Sequence, residues 1–532
     1  MKRYMKKWMK SSRIYKPIQE LNLVSEPKMV MNHKLDVNRE QLEKTFENCS
    51  DIVFQSLDLF GIQTLLVYVD GMVDKKLLEH ELLQTVRDSE SKCEAKSLLS
   101  LAEQLRHTLR VGQIRTADTF DDLVKGVLDG GVAIVLDGEL SVLIVGLERL
   151  PSRSVEEPEA EPLIRGPREG FIEQVQTNII LLRKRLKTPR FKIESFTVGE
   201  LTQTKVAVVY IDGIATDSVV QEVRERITRI EIDGVIESNY IEEFIEDMPF
   251  SPFPQVHTTE RPDIVAANLL EGKIAILVDG SPAALIVPVT FWNLMLSAED
   301  YYERFLIPTF IRYIRFGFIL ISLFLPSLYV AVASFHPEMI PTNLLLSIAG
   351  AREASPFPAL AEALLMEITF EGLREAGVRL PRQVGSAVSI VGGLVIGQAA
   401  VQAGIVSAPM VIVVSITAIA NFTIPRFNFA FSTRLLRFPL ILLAGTLGLY
   451  GIGLGFVCIL IHLNSLRSFG IPYFEPVAPL SIGGLKDILF RAPHWAMKLR
   501  PRLTGYNEPL RVPSGQRPGP NQSDETDKKE GQ

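Results

Sequence analysis

The sequence predicts an α+β multidomain membrane protein, in which a duplicated, soluble α/β N-terminal region is followed by an all-α, multipass transmembrane domain. Two observations predict this fold class. After residue 315, three long apolar stretches lack Asp, Glu, Lys and Arg. Before that point, apolar strand-like motifs that end in Asp-Gly occur in two pairs with the same spacing. A chain of 532 residues is long enough for several domains.

The composition excludes several classes of protein. The net charge is −6, which argues against a basic nucleic-acid-binding domain. Cys49, Cys93 and Cys458 are far apart, so the sequence predicts neither a disulfide framework nor a zinc ribbon. No nucleophile–base pair, metal-ligand cluster or phosphate-binding loop is recognisable, so we expect neither an enzyme nor a bound cofactor. The mean hydropathy is +0.19 although 22% of the residues are charged, which requires that apolar and charged residues are segregated along the chain.

The three uncharged stretches predict the membrane spans. They are Phe316–Ser334, Gln383–Pro425 and Phe438–Leu466. A helix needs about 20 residues to cross a bilayer core, so the second stretch is long enough for two crossings with a turn at Gln402–Gly404. Within a transmembrane domain at 297–470 we therefore predict four core spans, at about 316–334, 384–402, 405–424 and 438–465.

The N-terminal repeat predicts two related lobes. Asp70 and Asp137 each end an apolar run, and similar runs end at Asp212 and Asp279, 142 residues later in both cases. Glycine after each aspartate is typical of a tight turn. We therefore interpret the Asp-Gly pairs as turns rather than as ligands, and place the lobes at 35–150 and 171–296.

The same repeat decides how one ambiguous segment is interpreted. Ala283–Val287 is apolar enough to begin a membrane span. Its partner 142 residues earlier, Ser141–Val145, is soon followed by Glu148 and Arg149 and is too short to cross a bilayer. Both segments are therefore predicted to be the last buried strand of their lobe.

Three further segments complete the predicted organisation. Residues 1–34 are basic but lack the apolar core of a signal peptide, so they are predicted to be a solvated tail, with a lipid contact as the alternative. Residues 151–170 are rich in proline and glutamate and are predicted to be a linker without a core of its own. Residues 471–532 are predicted to be a C-terminal cytoplasmic region with a disordered tail after Gly505.

At four places the sequence resembles a known family, the A subunits of GerA-type spore germinant receptors. The residues that carry the resemblance are Glu157–Gly170, Ala351–Pro358, Glu371–Pro381 and Ser389–Gln398. The resemblance extends over about Leu35–Pro501. It implies a multipass subunit of the spore inner membrane with a cytoplasmic N-terminal region. Stage V sporulation protein AF is a close paralogue that these motifs do not separate from the receptors.

The resemblance also implies partners and an activity. In this family the A subunit works beside a B subunit, which is transporter-like and binds the nutrient, and a C subunit, which is a lipoprotein. A subunits are thought to form a homo-oligomeric ring, with a pentamer implied, that acts as a nutrient-gated ion channel. A secondary transporter subunit is the alternative, but the visible repeat lies in the soluble half, whereas transporters repeat their spans. No nucleic-acid partner is expected.

The span after Arg382 contains the candidate pore-lining residues. Small residues recur every fourth position, which places them on one stripe of a helix and permits close helix contact in lipid. This stripe predicts either packing within one subunit or a ring of identical helices around an axis. Two glutamines on a neighbouring face predict either interhelical hydrogen bonds or the mouth of a pore. The candidates are Gly385, Ser389, Gly393, Gly397, Gln398, Val401 and Gln402.

A second candidate site lies on the segment before Pro381. Glu362, Glu367 and Glu371 are carried by an apolar sequence of helical character. They predict either an amphipathic helix at the membrane surface or carboxylates that concentrate cations or gate a pore.

The charge distribution leaves the topology open. Four crossings put both basic flanks in the cytoplasm but leave Arg426, Arg434 and Arg437 on the outer side, against the positive-inside rule. An additional crossing or re-entrant segment within Pro337–Gly377 would change the parity.

Overall fold

The computed structural model divides the chain into two compact units, residues 1–150 with 187–189, and residues 151–186 with 190–532. The residues that the structure describes are 30–59, 61–80, 114–147, 158, 161–379, 395–501, 503–505, 507–513 and 515–519. The candidate pore residues Gly385, Ser389 and Gly393 lie outside this part of the chain.

The first unit contains a five-stranded antiparallel sheet with the strand order β1-β2-β4-β5-β3. Strands β2 and β4 are almost wholly buried, because Val, Ile and Leu occupy both faces of the sheet. The elements in chain order are α1 (Leu35–Thr45), β1 (Ile52–Leu59), β2 (Ile62–Val69), β3 (Ile114–Ala117), α2 (Phe120–Leu128), β4 (Val132–Leu136) and β5 (Val142–Val145).

The second unit begins with a sheet of the same design, in the order β6-β7-β9-β10-β8. Each strand has its counterpart in the first sheet, and every pairing in both sheets is antiparallel. The elements are α3 (Val175–Arg185), β6 (Phe191–Val198), β7 (Thr204–Ile211), α4 (Asp217–Thr228), α5 (Ser238–Ile245), β8 (His257–Thr259), α6 (Pro262–Leu269), β9 (Ile274–Val278) and β10 (Ala284–Val287).

The paired aspartates occupy equivalent places in the two sheets. Asp70 follows β2 as Asp212 follows β7, and Asp137 follows β4 as Asp279 follows β9. Asp137 and Asp279 also share a role that the interpretation as turn residues does not include. Oδ1 of Asp137 accepts a hydrogen bond from the first amide of α1 at 2.9 Å, and Oδ1 of Asp279 accepts one from the first amide of α3 at 3.0 Å. Each of these aspartates therefore ties the leading helix of its lobe to the sheet.

A second shared feature supports a common origin of the lobes. Asn38 of α1 bonds both backbone groups of Asn32, at 2.9 and 2.6 Å. Asn178 of α3 bonds both backbone groups of Ile172 at the same two distances. The predicted last strands are confirmed, since the apolar residues before Glu148 form β5 and those before Pro288 form β10.

The second unit continues into helices. They are α7 (Glu299–Tyr302), α8 (Leu306–Phe335), α9 (Thr342–Glu353), α10 (Ala359–Arg379), the helical residues 395–402, α11 (Ala408–Phe422), α12 (Phe427–Ser465) and, after the short strands β11 (Arg467–Ser468) and β12 (Ile471–Pro472), α13 (Ile482–Ile488). Among the described helices, α8 and α12 are long and apolar enough to cross a membrane, and α11 is a shorter apolar helix.

Helix α12 is a hairpin rather than one continuous rod. Gly448 has non-helical backbone angles, φ 62° and ψ −142°. A Cβ on Gly451 would collide with the carbonyl oxygen of Leu443. In a straight helix these residues would lie about 12 Å apart along the axis. The chain therefore reverses at Gly448, and the single span predicted at 438–465 must be corrected, because this turn lies inside it.

The two ends of the hairpin meet beside the second lobe. The ring of Phe253 lies 6.3 Å from that of Phe429 and 6.0 Å from that of His462, although these two residues stand at opposite ends of α12. A hydrophobic cluster around them joins the lobe to the helices; its members include Val289, Leu294, Ile319, Ile424, Leu463 and Tyr473. We call this end of the helices the lobe-proximal end, and the end at Gly448 the lobe-distal end.

The other helices run alternately between these ends. Helix α8 leaves the proximal cluster at Ile319 and reaches Gly448 at Phe335. Helix α10 starts at the distal end, where Leu360 lies against Gly445, and descends until Glu371 meets Arg434. Helix α11 likewise runs from the distal end to the proximal end, since it ends just before Ile424 of the proximal cluster.

The C-terminal segment packs on the second lobe. Arg500 donates to the carbonyl oxygen of Leu270 at 2.9 Å, and Arg511 forms an ion pair with Glu271 at 3.1 Å. Asn507 donates to the carbonyl oxygen of Ala215 at 3.0 Å. Ordered contacts with the lobe therefore extend past Gly505, where the composition predicts that disorder begins.

Candidate functional site

Charged side chains are concentrated between α10 and α12, inside the bundle of apolar helices. Glu367 and Glu371 are four residues apart on α10, so they lie on one face of that helix. Arg434 and Arg437 are three residues apart on α12 and face them. The spacing on each helix thus places two carboxylates of α10 opposite two guanidinium groups of α12.

Arg437 lies at the centre of this arrangement. Its Nη1 donates to Oε2 of Glu367 at 2.6 Å, and the two side chains are only 3% and 2% exposed. Its Nε donates to the backbone carbonyl of Ser322 in α8 at 2.9 Å, and its Nη2 donates to the hydroxyl of Ser322 at 3.2 Å. Arg437 therefore joins three helices through one guanidinium group.

The carbonyl of Ser322 needs this donor because of a proline. Pro326 stands four residues later inside α8 and has no N–H to complete the helical hydrogen bond. A carbonyl left without a partner among apolar helices would cost several kcal/mol. Arg437 satisfies it, so the proline in α8 and the arginine in α12 are complementary.

Hydroxyl and amide groups extend the polar contacts to α11. The hydroxyl of Ser322 donates to Oδ1 of Asn421 at 3.3 Å, and the hydroxyl of Thr433 donates to the same oxygen at 3.2 Å. We call Arg437, Glu367, Ser322, Asn421 and Thr433 the Arg437 cluster. It draws one polar side chain or more from each of α8, α10, α11 and α12.

Glu371 is shared between two arginines closer to the lobe. Arg434 donates to its Oε2 at 2.8 Å, and Arg374 donates to its Oε1 at 3.1 Å. Both cations also lie over aromatic rings, Arg374 at 5.5 Å from Phe422 and Arg434 at 5.0 Å from Phe431. A cation over an aromatic face is stabilised by the ring quadrupole, which supports these partly buried charges.

Glu362 is engaged at the distal end of α10. Its Oε2 accepts hydrogen bonds from the hydroxyl of Ser407 at 2.7 Å and from the Ser407 amide at 3.3 Å. Ser407 is the residue before α11, so the carboxylate lies at the positive end of that helix. Arg352 lies 4.0 Å away. All three predicted carboxylates are thus bound to groups of this same chain.

The pore candidates in the described part of the chain face two directions. Gly397 is buried, and a Cβ on it would meet the side chain of Val411 in α11 at 3.4 Å. Val401 is half-buried and packs against the hydrophobic cluster at the lobe-distal end of the helices. Gln398 and Gln402 are exposed on the surface of the subunit. Packing within one subunit therefore accounts for Gly397, while the two amides remain available to a neighbour or to water.

Sequence reasoning missed the role of the arginines in α12. From the sequence alone, Arg434 and Arg437 are simply charges that the four-span topology puts on the outer side of the membrane. That conflict was the available signal, because arginines that violate the positive-inside rule require another topology or buried partners. No pattern in the sequence paired them with particular glutamates.

Comparisons with known proteins decide the family. The family model described as Bacillus/Clostridium GerA spore germination protein matches residues 40–503. The chain belongs to the GerA family. The resemblance found in the motifs is thereby confirmed, and the GerA match includes the first lobe from residue 40, the whole second lobe and all the helices of the Arg437 cluster.

Several named proteins are similar in sequence to most of this chain. The uncharacterized membrane protein YfkQ of Bacillus subtilis is 48% identical, over 88% of this chain and 90% of that protein. Spore germination protein KA of Bacillus subtilis is 44% identical, over 92% of this chain and 90% of that protein. Stage V sporulation protein AF of Bacillus subtilis is 30% identical, over 87% and 93%.

A solved structure is also similar. The crystal structure of the N-terminal domain of the A subunit of the Bacillus megaterium spore germinant receptor GerK3 is 34% identical, covers 50% of this chain and 98% of that chain, and gives a TM-score of 0.40.

Proposed function

We propose that this GerA protein is the A subunit of a nutrient germinant receptor in the spore inner membrane, and that copies of it assemble into a nutrient-gated ion channel that triggers germination. The observation that carries the proposal is the buried Arg437–Glu367 pair within apolar helices. Ionisable residues at membrane depth are costly and are retained where they serve function. The N-terminal region lies in the cytoplasm in this proposal.

The directions of the helices support a multipass topology. Helices α8, α10, α11 and the two arms of α12 run between the same two ends, and residues 395–402 end beside the distal turn at Gly404. We therefore propose six membrane segments, with the span predicted at 384–402 forming the third. Arg426 and Arg434 then lie on the cytoplasmic side with the second lobe, as the positive-inside rule expects.

The exposed surface of the helices supports contact with lipid. Large apolar side chains point outward along α8, α11 and both arms of α12. Exposed apolar area on this scale is not stable in water and marks a surface that meets a membrane or another subunit. The exposed residues include Leu320, Leu328, Ile412, Ile416, Ile419, Phe431, Leu435, Leu442, Phe456, Val457 and Ile461.

The proposed pore uses the exposed amides beside the distal turn. Gln398 and Gln402 are free to face an oligomer axis, and neutral amides can replace water around a cation without binding it too tightly. Gly385, Ser389, Gly393 and Val401 belong to the same proposed helix. A ring of five copies, beside a transporter-like B subunit and a lipoprotein C subunit, is the assembly that the family implies.

We assign the carboxylates a gating role in this channel. Glu367 and Glu371 are neutralised by Arg437 and Arg434, so they are poorly suited to concentrating cations while these pairs are intact. Breaking a pair during opening would release a carboxylate and an arginine together. Glu362, held by Ser407, would keep the distal end of α10 in place.

The experiment uses spores that lack this chain and spores that carry it, each with the B and C subunits present. Amino acids, sugars and nucleosides are supplied in turn, and cation release is recorded together with the membrane level of each subunit. The proposal expects a nutrient that causes release only when the chain is present. Equal release in both strains, for every nutrient that triggers germination, would contradict it. Electron microscopy of the purified complex then counts the copies.

A stage V AF-like channel is the second candidate. The germination relative KA is 44% identical to this chain and stage V protein AF is 30% identical, which favours the receptor subunit. A secondary transporter subunit is less favoured, because the repeat that the structure contains is that of the two soluble sheets.

A further inference from the structure

The second half of the segment between the lobes is bound to the second unit, although its composition predicts a linker without a core. We call residues 161–169 the strap. Arg261, which is buried, donates from Nη1 to the carbonyl oxygen of Glu161 at 3.2 Å and from Nη2 to that of Pro167 at 2.7 Å. These two bonds fix both ends of the strap to the N-terminal end of α6.

The carboxylate of Glu161 connects the lobe to the membrane helices. Its Oε2 accepts a hydrogen bond from the hydroxyl of Thr259 in β8 at 2.6 Å. Its Oε1 forms an ion pair with Arg426, the residue before α12, and the two side chains are 16% and 10% exposed. Within the described part of the chain, Glu161 is the carboxylate that neutralises this arginine.

A second set of contacts reaches the other long apolar helix. The amide of Ile164 donates to Oε1 of Glu299 at 3.0 Å, and Arg165 lies 3.8 Å from Glu303. Gly166, at φ 144°, leaves room for the ring of Tyr302, which a Cβ would approach to 2.9 Å. Helix α7 carries Glu299 and Tyr302 and leads directly into α8. The strap therefore contacts α7, which precedes α8, and Arg426, which precedes α12.

We propose that the strap is a mechanical coupler, which carries displacement of the second lobe to the membrane helices through the Glu161–Arg426 pair. Thr259 and Arg261 bind the strap to the second lobe, so a displacement of that lobe acts on the strap directly. Its attachment points at α7 and Arg426 lie just before the two long apolar helices α8 and α12. The inference rests on the proposed function, because displacement matters only if the helices form a gate.

The test replaces the charge and keeps the shape. Glu161→Gln and Arg426→Gln are compared with the double variant in complete receptors in spores. Glu169→Gln is the matched control, because Glu169 lies on the same strap but pairs with Arg185 of α3 and stays half exposed. The measurements are cation release without nutrient, the nutrient concentration that gives half-maximal release, and the membrane level of all three subunits.

We expect each single variant to change the half-maximal concentration at least about fivefold, in the range of ordinary coupling energies. The double variant should shift it no further, because both changes break the same pair. Glu169→Gln should leave it within about twofold of the parent. Unchanged thresholds in Glu161→Gln at normal subunit levels, or additive shifts in the double variant, would overturn the coupling. If Glu161→Gln does not accumulate, Arg426→Gln, which removes the other charge of the pair, decides the test with the same expected change and the same overturning result.

Trypsin cleavage separates this inference from the proposed function. Arg165 and Arg168 lie in the strap, and everted membrane vesicles expose the cytoplasmic face to the protease. If Glu161 holds the strap, Glu161→Gln should speed cleavage there at least about fivefold relative to the parent and to Glu169→Gln, because local opening becomes easier. Equal cleavage rates would contradict the role of Glu161 in holding the strap, regardless of the nutrient thresholds measured in spores. A parent chain without nutrient-dependent release would instead overturn the proposed function.

Discussion

Arg437 and Glu367 are 70 residues apart in the sequence, and in the folded chain their side chains meet at 2.6 Å within the helical bundle. The same guanidinium also satisfies the Ser322 carbonyl that Pro326 leaves without a helical partner. One arginine thus compensates both a buried acid and a broken helical hydrogen bond. The stability of the bundle should depend on keeping its charge balanced.

The first prediction breaks this pair. Glu367→Gln leaves Arg437 buried without a counter-charge, and Arg437→Gln leaves Glu367 in the same position. Each should lower the free energy of unfolding by about 3–5 kcal/mol, as for other buried pairs that lose one partner. The double variant should lose less than the sum, because it leaves no isolated charge. Thermal unfolding of the detergent-purified chain measures all three.

The matched control is Glu375→Gln. Glu375 lies on the same helix and pairs with Arg379 at 2.7 Å, but both side chains are well exposed. Its replacement should change stability by about 0.5 kcal/mol or less. Losses that simply add in the Glu367/Arg437 double variant would show that the two side chains are not energetically coupled.

The sequence predicts the strands that belong to the N-terminal repeat. The spacing of Asp70, Asp137, Asp212 and Asp279 is a local pattern repeated at a fixed distance, and it correctly places the four strands that end before them, β2, β4, β7 and β9. The final strands were also predictable, because one copy of the repeat constrains the interpretation of the other. Both predictions depend on short apolar motifs that recur 142 residues later, and such motifs can be recognised in the sequence alone.

The hairpin and the buried pairs were not predictable in that way. Hydropathy measures composition, and a turn at Gly448 changes no composition. Gly445, Gly451, Gly453 and Gly455 lie close by in the sequence, so no single glycine marks the turn. The pairing of Glu367 with Arg437 is a long-range contact that no periodicity encodes. The pore stripe illustrates a further limit: spacing placed Gly397 on a small-residue face, but could not say that Val411 of the same chain covers it.

The second prediction tests the reversal at Gly448. Alanine there would have to adopt φ 62°, and its Cβ would lie 3.1 Å from Nε2 of His336 and 3.2 Å from Phe335. Backbone strain of this kind costs about 1–3 kcal/mol before the close contacts are counted. We expect Gly448→Ala to lower the unfolding temperature of the purified chain and its level in membranes.

Gly453 supplies the comparison within the same hairpin. It lies in the second arm, and nothing stands within 4 Å of the position that its Cβ would occupy. Gly453→Ala should therefore be neutral or slightly stabilising, since alanine is the better helix former. If both alanine variants behave alike, the chain does not turn at Gly448.

The third prediction concerns the proposed pore. Gln398→Leu and Gln402→Leu remove an amide from an exposed position, so the subunit should fold and assemble normally while nutrient-triggered cation release falls at least about tenfold. Gly397→Leu should behave differently, because its side chain would push against Val411 in α11 and lower the amount of protein. Release is measured in spores at matched subunit levels. Ile412→Leu, on an exposed apolar position, is the control. Normal cation release in both glutamine variants would show that this helix does not line the pore.

The last prediction concerns pH and the second lobe. Burial, together with the nearby carboxylate of Glu246, raises the pKa of Glu242 from 4.5 to about 7. The folded chain therefore binds a proton that the unfolded chain has already released between these two pH values. Stability must fall as pH rises through this window and stay penalised above it, because the charged form is the one that burial disfavours.

Glu242→Gln removes this penalty. The variant should match the parent near pH 4.5 and exceed it at pH 8 by up to about 3 kcal/mol, since each pKa unit corresponds to about 1.4 kcal/mol. Hydrogen exchange of the β10 and α5 amides in the full chain, followed from pH 5 to pH 8 and corrected for the intrinsic exchange rate, measures the difference where the side chain lies. Glu225→Gln, on the exposed face of α4, should show no such trend. A stability difference that is constant across this range would mean that Glu242 ionises in the folded lobe as it does in the unfolded chain.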